Sequence, residues 1–225
     1  MKLTILSALA LFLMSSLALA QTQPAPKAPD ATEPPKFEYV EMKTSAGTII
    51  LELNREKAPI TVENFLRYVA KRHYDGTIFH RVIQDFVIQG GGLDVNKREK
   101  PTDPPIINEH KNGLKNKRGT ISMARKPDPN SATSQFFINV EDNDGTKKYD
   151  LDRPPGYAVF GRVIHGMDVV DAIRNAPVGR NDMPEKPVVI ERVTRITEED
   201  VRKYLEKEKA EKAEKADKPA EPDKK

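Results

Sequence analysis

Residues 79–92 read FHRVIQDFVIQGGG, and this stretch says more about the fold than any other part of the chain. Two short runs of β-branched and aromatic residues stand on either side of Gln84 and Asp85. Such runs, bounded by polar residues and glycine, are typical of β-strands. Arg81 and Gln89 are polar residues set among apolar side chains. The pattern predicts two short strands joined by a tight bend.

Strand signals dominate the rest of this region as well. β-branched or aromatic runs bounded by Gly, Pro, Asn or Asp are found at 48–53, 78–83, 86–89, 120–124, 135–140, 158–164 and 188–196. Only two stretches have a helical period. One carries Val62, Phe65, Leu66 and Val69 after Pro59, and a weaker one lies at 167–173. Many strands with two separated helices predict a mainly β domain, a closed antiparallel barrel capped at its ends.

Two blocks of sequence resemble the cyclophilin family of peptidyl-prolyl isomerases. Residues 79–91 match the family pattern F-H-R-V/I-I-x-x-F-x-I-Q-G-G almost completely, and Ser122-Met123-Ala124 is followed by SQFFI at 134–138. The resemblance covers roughly residues 38–196. It implies an eight-stranded antiparallel barrel capped by two helices. It also implies an enzyme that rotates X-Pro peptide bonds without a covalent intermediate.

The resemblance also implies the site residues. Arg81 matches the family's catalytic arginine, which donates to the prolyl nitrogen in the twisted state. The matching substrate-binding positions are Phe86, Val87 and Phe137 for the proline ring, Gln89 and Gln135 for the substrate backbone, and Ala124 and Arg125 for pairing with an extended peptide. Arg125 stands where relatives often have asparagine.

The region 142–155 aligns poorly with the family pattern. Leu151 is expected to complete the pocket, and Tyr157 to form its edge in place of the histidine of many eukaryotic members. Either Tyr149 or Leu151 takes the position of the tryptophan that favours cyclosporin in eukaryotic relatives. The chain contains no tryptophan, so the resemblance does not imply sensitivity to cyclosporin.

The two-residue period of a strand predicts which side chains share a face. In 134–140, Phe136, Ile138 and Val140 are expected in the core, with Gln135, Phe137 and Asn139 opposite. In 78–83, Phe79, Arg81 and Ile83 oppose His80 and Val82, which makes His80 a satisfied core histidine. Strict alternation would also separate Phe86 from Val87, so a bend is expected before the second strand.

The two ends of the chain differ from the domain at 37–196. Residues 1–20 have Lys2, an apolar run and Ala18-Leu19-Ala20, the three regions of a secretory signal peptide. Cleavage after Ala20 and a periplasmic location are predicted. The alternative is an uncleaved anchor, because the run approaches the length that spans a bilayer. Residues 21–36, rich in Pro and Ala, read as an extended linker.

Residues 197–225 are predicted to form a charged helical tail. Thr197-Glu198-Glu199-Asp200 has the form of a capping box, followed by an apolar stripe that ends at Leu205. Glu–Lys pairs at i,i+4, beginning at Glu208–Lys212, follow it. The simplest interpretation is a solvated tail, and the alternative is a docking helix for a partner.

Composition excludes several classes of function. The formal charge is +3 with no basic run interleaved with aromatic residues, so nucleic acid is not expected as a ligand. There are no cysteines, and the four histidines lack ligand spacing, so neither a metal nor another cofactor is expected. The expected partners are unfolded or extended polypeptides that contain proline. The protein is expected to be a monomer without stable membrane insertion. A non-catalytic peptide-binding chaperone on the same fold is the alternative function.

Overall fold

The structure is a computed structural model that describes residues 34–217, with side chains described as far as residue 210. The predicted signal peptide, residues 21–33 of the predicted linker and residues 218–225 lie outside the described residues, as do the side chains of the predicted Glu–Lys pairs beyond residue 210. Within 34–217, no helix combines the length and apolar character that a membrane crossing requires.

Eight strands in the described part of the chain form a closed antiparallel barrel, which confirms the predicted fold class. Around the barrel the strands follow the order β1-β2-β7-β5-β6-β4-β3-β8. Their bounds are β1 Phe37–Thr44, β2 Gly47–Asn54, β3 Thr77–Val82, β4 Val87–Asp94, β5 Thr120–Met123, β6 Phe136–Asn139, β7 Val159–His165 and β8 Val189–Ile196.

Strand β1 is the one strand of the barrel that the apolar runs do not reveal. Its apolar residues Val40 and Met42 are buried, but two glutamates, Glu38 and Glu41, are nearly buried too. Glu38 is only 4% exposed because Arg55 and Arg195 both pair with its carboxylate. These glutamates interrupt the apolar run, so hydrophobicity alone does not predict this strand.

Both predicted helices are present and pack against the barrel. Helix α1 spans Pro59–Ala70 and helix α2 spans Met167–Arg174. The apolar stripe of α1 is buried together with a cluster of aromatic rings inside the barrel, including Phe65, Tyr74 and Phe136. The core therefore fills the barrel, and side chains on the opposite faces of the strands remain for a site.

The long polar stretch at 93–118 is an ordered loop that caps the N-terminus of helix α1. Helix α1 has no side-chain cap at Ala58. Instead the Glu109 carboxylate accepts hydrogen bonds from the Ile60 and Thr61 N–H groups, at 3.1 and 2.8 Å, and from the Thr61 hydroxyl at 2.6 Å. A carboxylate at this position satisfies donors that the helix leaves unpaired and complements its dipole.

The turn between β3 and β4 corrects one prediction and confirms another. Phe79 pairs with Gly90 whereas Arg81 pairs with Gln89, so a bulge places one extra residue in β3. The assignment of Phe79 and Arg81 to one face is therefore wrong, because Phe79 is fully buried in the core. The predicted bend before Val87 is confirmed, since a turn closed by Phe86 N–H to Ile83 O precedes β4.

A third helix, α3, spans Glu198–Asp217 and begins with the predicted capping box. The Asp200 N–H donates to the Thr197 hydroxyl, and the Asp200 carboxylate accepts from the Thr197 N–H. Val201 is buried, and the Tyr204 hydroxyl donates to Glu41, which raises the pKa of Tyr204 to about 12. One turn farther on, Glu208 Oε2 lies 2.7 Å from His165 Nδ1. The contact with the barrel thus extends past Leu205.

Candidate active site

A pocket of about 190 Å³ lies outside the barrel core, beside β4 and β6. Nine of the ten residues predicted for the site line it: Arg81, Phe86, Val87, Gln89, Ala124, Arg125, Phe137, Leu151 and Tyr157. The tenth, Gln135, is joined to the pocket by the hydrogen bond that Gln89 Nε2 donates to its Oε1, at 3.0 Å. The fold therefore gathers residues that are as much as 76 positions apart in the chain, from Arg81 to Tyr157.

One wall of the pocket is set by strand register. Gln89 of β4 pairs directly with Phe137 of β6. The predicted alternation in β6 is confirmed, because Phe136, Ile138 and the following Val140 belong to the core while Phe137 lines the pocket. Phe137 is only 4% exposed, so this wall offers an apolar surface that is largely withdrawn from water. We call it the strand wall and define it by Val87, Gln89 and Phe137.

Arg81 lies at the rim with its guanidinium available to a ligand. Its Nε is 3.6 Å from Asp182 Oδ2, and its Cζ is 5.9 Å from the centre of the Phe86 ring. A separation of 3.6 Å is too long for a hydrogen bond. No other described residue forms a hydrogen bond or an ion pair with this guanidinium, and its side chain is 39% exposed. Its donors can therefore be directed at a molecule in the pocket.

The opposite wall is a loop. Leu151 and Tyr157 lie in the segment that precedes β7, and the Tyr157 N–H donates to the Leu151 carbonyl at 2.9 Å. The Tyr157 ring meets Phe137 edge to face at 5.5 Å, and the Arg125 guanidinium lies over it at 4.4 Å. We call this the loop wall and define it by Leu151, Tyr157 and Arg125.

The side chain of Arg125 braces the loop wall rather than pointing into the pocket. Its Nε donates to the Gly156 carbonyl at 3.4 Å, one Nη donates to Lys126 O at 3.0 Å, and the other donates to Pro155 O. The Ala124 N–H is occupied by the Gln135 carbonyl at 2.9 Å. Any backbone pairing with a peptide at this position must therefore use the remaining backbone groups of Ala124 and Arg125.

Asparagine side chains hold the loop wall in place. From the long loop, Asn108, Asn112 and Asn116 each donate to a backbone carbonyl of the segment that enters β7: Gly156 O at 2.9 Å, Val159 O at 2.8 Å and Tyr157 O at 3.3 Å, respectively. These three residues are spaced by four positions. The long loop thus caps helix α1 through Glu109 and also holds the loop wall.

Two further asparagines extend this arrangement to the strand wall. Asn139 Nδ2 donates to Asn116 Oδ1 at 3.1 Å, and Asn143 Nδ2 donates to Asn139 Oδ1 at 2.8 Å and to Phe86 O at 2.9 Å. The Asn143 carbonyl also accepts the Leu151 N–H at 2.7 Å. Asn116, Asn139 and Asn143 are fully buried. We call the five residues 108, 112, 116, 139 and 143 the asparagine brace.

Sequence reasoning missed the asparagine brace. The available signal was the repeat of asparagine at every fourth position from 108 to 116, which composition alone does not distinguish from a polar loop. Tyr149 does not line the pocket, but its ring lies 4.1 Å from that of Phe86 and extends the apolar rim. Leu151, which was expected to complete the pocket, lines it.

Gly91 and Gly92 of the FHRVIQDFVIQGGG stretch each meet a local requirement that other residues would not. Gly91 has a φ of 82°, which side-chain-bearing residues rarely adopt. A Cβ on Gly92 would lie 2.6 Å from the Gln135 side chain. Gln135 also borders an adjoining cleft of about 520 Å³. A peptide that lies in the pocket can therefore continue past Gln135.

His80 is not the satisfied core histidine that alternation predicts. It is half-buried, contacts Gln135 and lies outside the core cluster, because the bulge in β3 turns it away from the barrel interior. Its Nδ1 is buried and has no hydrogen-bond partner among the described residues. Burial lowers the pKa of His80, although hydrogen bonds with Ile78 and Gln135 act in the opposite direction.

No ligand set for a metal is found among the described residues, since no three His, Asp or Glu side chains cluster in a way that could hold an ion. The pocket instead combines apolar side chains, the Gln89 amide with Gln135 hydrogen-bonded to it, and one available cation. This combination suits an uncharged ring attached to a peptide backbone, held without covalent chemistry.

The comparison with family models agrees with this chemistry. Residues 39–195 match the model of the cyclophilin-type peptidyl-prolyl cis-trans isomerases. A peptidyl-prolyl cis-trans isomerase of Streptomyces antibioticus is 57% identical over 158 residues, which cover 68% of this chain and 95% of that protein. Isomerase B of Escherichia coli is 49% identical over 160 residues, which cover 69% of this chain and 98% of that protein.

Solved structures give the same family. A cyclophilin-type isomerase of Cryptosporidium parvum has a TM-score of 0.58 at 29% identity and covers 72% of this chain and 98% of its own. The structure of a Cryptosporidium parvum isomerase of this type in the presence of the dipeptide Ala-Pro has a TM-score of 0.57 at 29% identity and covers 71% of this chain and 99% of its own.

Proposed function

This chain belongs to the cyclophilin family of peptidyl-prolyl cis-trans isomerases, and we propose on that premise how its pocket accelerates the reaction and where the protein acts. The chain is a peptidyl-prolyl cis-trans isomerase. The roles of individual residues, the partners and the location are inferences from the site and the sequence.

The chemical problem is a rotation barrier. A peptide bond resists rotation by about 18–20 kcal/mol because the nitrogen lone pair is delocalised into the carbonyl. The cis and trans forms of an X-Pro bond are close in energy, so catalysis affects only the rate. In the twisted transition state the lone pair returns to the nitrogen, which can then accept a hydrogen bond.

Arg81 is the catalytic residue in this proposal. Its guanidinium donates to the prolyl nitrogen, and this interaction exists mainly in the twisted state, as transition-state stabilisation requires. The single observation that carries the role is the position of the guanidinium: it stands at the rim of the apolar pocket, without a hydrogen bond to another described residue. The pocket also disfavours the planar amide, which is the more dipolar form, because it excludes water.

The two walls hold the substrate while its carbonyl rotates. Phe137, Val87 and Phe86 receive the proline ring, with Leu151 and Tyr157 closing the opposite side. Gln89 and Gln135 donate to and accept from the substrate backbone, while Ala124 and Arg125 pair with the residue before the proline through their backbone. The substrate is therefore held at its ring and along its backbone, so the peptide bond between them can twist.

The substrates are unfolded or extended polypeptides that contain proline. A pocket of about 190 Å³ accepts one ring but not a folded surface. The dipeptide Ala-Pro named for the Cryptosporidium parvum structure supports this class of ligand. We further propose that the protein works as a monomer and that nucleic acid is not among its ligands.

We propose that the protein is exported and assists the folding of periplasmic proteins. The support is the pattern of residues 1–20, with a lysine, an apolar run and the Ala18-Leu19-Ala20 site. Mass measurement of the protein recovered from cell fractions tests this. A mature protein that begins at Gln21 in the periplasmic fraction is expected, and an intact mass that retains Met1–Ala20 in the membrane fraction would contradict cleavage.

A protease-coupled assay on a short X-Pro peptide tests the mechanism. The purified protein should accelerate conversion of the cis form in a saturable manner. The same peptide with its proline replaced by alanine serves as the control for binding along the backbone alone. Absence of acceleration by a folded protein that still binds the proline peptide would overturn the assignment of Arg81 as a catalytic donor.

A further inference from the structure

A second cleft shares no residue with the pocket. It lies between α1 and β8 and has a volume of about 630 Å³. Five arginines line it, together with the acidic residues Glu63 and Asp75; the arginines are Arg55, Arg67, Arg72, Arg192 and Arg195. We call it the arginine cleft.

Three of these arginines are neutralised by neighbouring carboxylates. Buried Glu38 pairs with Arg195 at 2.6 Å and with Arg55 at 3.2 Å, and Arg55 also reaches Glu63 at 2.9 Å. Arg67 pairs with Asp103 at 3.1 Å. These ion pairs fix the walls of the cleft and account for its acidic residues other than Asp75.

Arg72 and Arg192 have no such compensation. Among the described residues, neither guanidinium lies within 4.0 Å of a carboxylate, and neither forms a hydrogen bond. Asp75, the remaining acid in the lining, already accepts the Val193 N–H at 3.1 Å. The cleft therefore presents two cations whose donors are available for planar, two-point contacts with carboxylates.

The backbone at Arg72 is a separate, independent sign. Helix α1 ends at Ala70 with Lys71 as its C-cap, and Arg72 follows with a φ of 53°, in the left-handed region. Glycine, and less often asparagine, is preferred at this position after a helix because other side chains are strained there. An arginine that is kept in a strained conformation and turned to an open cleft is an outlier from which a functional role can be inferred.

The floor of the cleft indicates what kind of anion fits. Leu66, Val69 and Val193 are largely buried apolar residues that line it beneath the charged rim. A small inorganic anion would contact only the arginines of the rim. A chain with acidic and apolar side chains uses both the rim and the floor.

We propose that the arginine cleft binds an acidic segment of a polypeptide partner, at a second site that does not depend on the isomerase pocket. The carboxylates of the segment pair with Arg72 and Arg192, and its apolar side chains lie on the floor. A client that carries both a proline and an acidic stretch is then held at two points, which increases the effective concentration of its X-Pro bonds at the pocket.

Binding of a labelled peptide tests the proposal. The probe is a fluorescein-labelled peptide of alternating glutamate and leucine without proline, and its analogue with glutamine for glutamate is the control. Fluorescence anisotropy with the full-length protein should show binding of the acidic peptide that weakens as salt rises, because exposed charges are screened. Arg72→Gln with Arg192→Gln should weaken binding at least about tenfold, as expected for the loss of charge-assisted hydrogen bonds.

Two controls separate binding from folding. Arg153→Gln with Arg202→Gln removes two exposed arginines outside the cleft and should leave affinity unchanged. Arg72→Gly removes the charge while suiting the left-handed backbone. It should therefore bind the acidic peptide more weakly although it melts no lower than the natural protein. All these variants should retain turnover of a short X-Pro peptide, so a failure of this proposal is distinguishable from a failure of the isomerase mechanism.

Several results would overturn the proposal. They are equal affinity for the glutamine analogue, unchanged affinity in the Arg72→Gln/Arg192→Gln variant, and displacement of the peptide by low millimolar inorganic phosphate, which would indicate a small-anion site. Tighter binding of a single-stranded oligonucleotide than of the acidic peptide would indicate a different class of partner.

Discussion

The strand wall and the loop wall face each other across the same pocket but are fixed by different forces. The strand wall is held by backbone pairing, in which Gln89 lies opposite Phe137 and each side chain follows from the register. The loop wall has no ladder, and side-chain amides of the asparagine brace hold its backbone instead. A substitution in the strand wall should therefore change what the pocket contacts, whereas a substitution in the brace should change where the loop wall stands.

The largest expected effect comes from substitution of Arg81, which belongs to neither wall. Arg81→Ala removes the donor to the prolyl nitrogen, and a hydrogen bond to a charged group is worth about 1.5–3 kcal/mol, equivalent to roughly a tenfold to few-hundredfold loss in rate. Binding of proline peptides should fall much less. Protease-coupled kinetics and peptide titration measure the two, with Arg202→Ala, on α3, as the matched control.

Near-normal turnover of Arg81→Ala with lost peptide affinity would contradict the donor role. In that case the arginine would anchor the substrate, and the walls would have to account for the whole acceleration.

Phe137→Ala tests the strand wall. The ring contacts the proline in both the planar and the twisted state, so its removal should weaken binding and lower kcat/KM, by about 5–30-fold if 1–2 kcal/mol of apolar contact is lost. Isothermal titration with a proline peptide and steady-state kinetics should report similar losses. A fall in kcat without a change in affinity would show that the ring acts in the twisted state and not as a fixed surface.

The same contrast explains how much the sequence could predict. The family motifs at 79–92 and 134–138 identify Arg81, Gln89 and Phe137, and the period of 134–140 puts Phe137 opposite the core; all three line the pocket. His80 and Phe79 were misplaced because one bulge shifts the alternation. The asparagine brace was missed because it depends on contacts between positions up to 57 residues apart, such as Asn143 and Phe86. No local sequence pattern indicates such contacts.

Asn143→Ala tests the loop wall. It leaves Asn139 Oδ1 without the donor it has at 2.8 Å, and a buried acceptor left unpaired costs about 1–3 kcal/mol. Phe86 O loses the Asn143 donor at 2.9 Å but keeps the Val140 N–H at 3.1 Å. We expect the melting temperature to fall and KM to rise several-fold, while kcat changes little because Arg81 is untouched. Thermal unfolding and steady-state kinetics measure these effects.

Two further variants test the role of Asn143. Asn143→Asp keeps the shape but not the donated hydrogens, so it should not restore KM. Asn96→Ala, at an exposed turn, should behave like the natural protein. A loss of stability with KM unchanged would show that the brace supports the fold without positioning the pocket.

The smallest effect is expected from the tail, which contacts the barrel but neither wall. Deletion of residues 207–225 removes the Glu208 contact with His165, a partly exposed pair of the kind that contributes about 0–1 kcal/mol. The melting temperature should fall by no more than about 2–4 °C. Turnover of a short X-Pro peptide should stay within about twofold.

Deletion from Thr197 also removes buried Val201 and the Tyr204 hydrogen bond to Glu41, so it should lower stability further without changing turnover of the folded protein. If the shorter deletion instead lowers turnover several-fold, the tail takes part in substrate binding, and two walls do not describe the whole site.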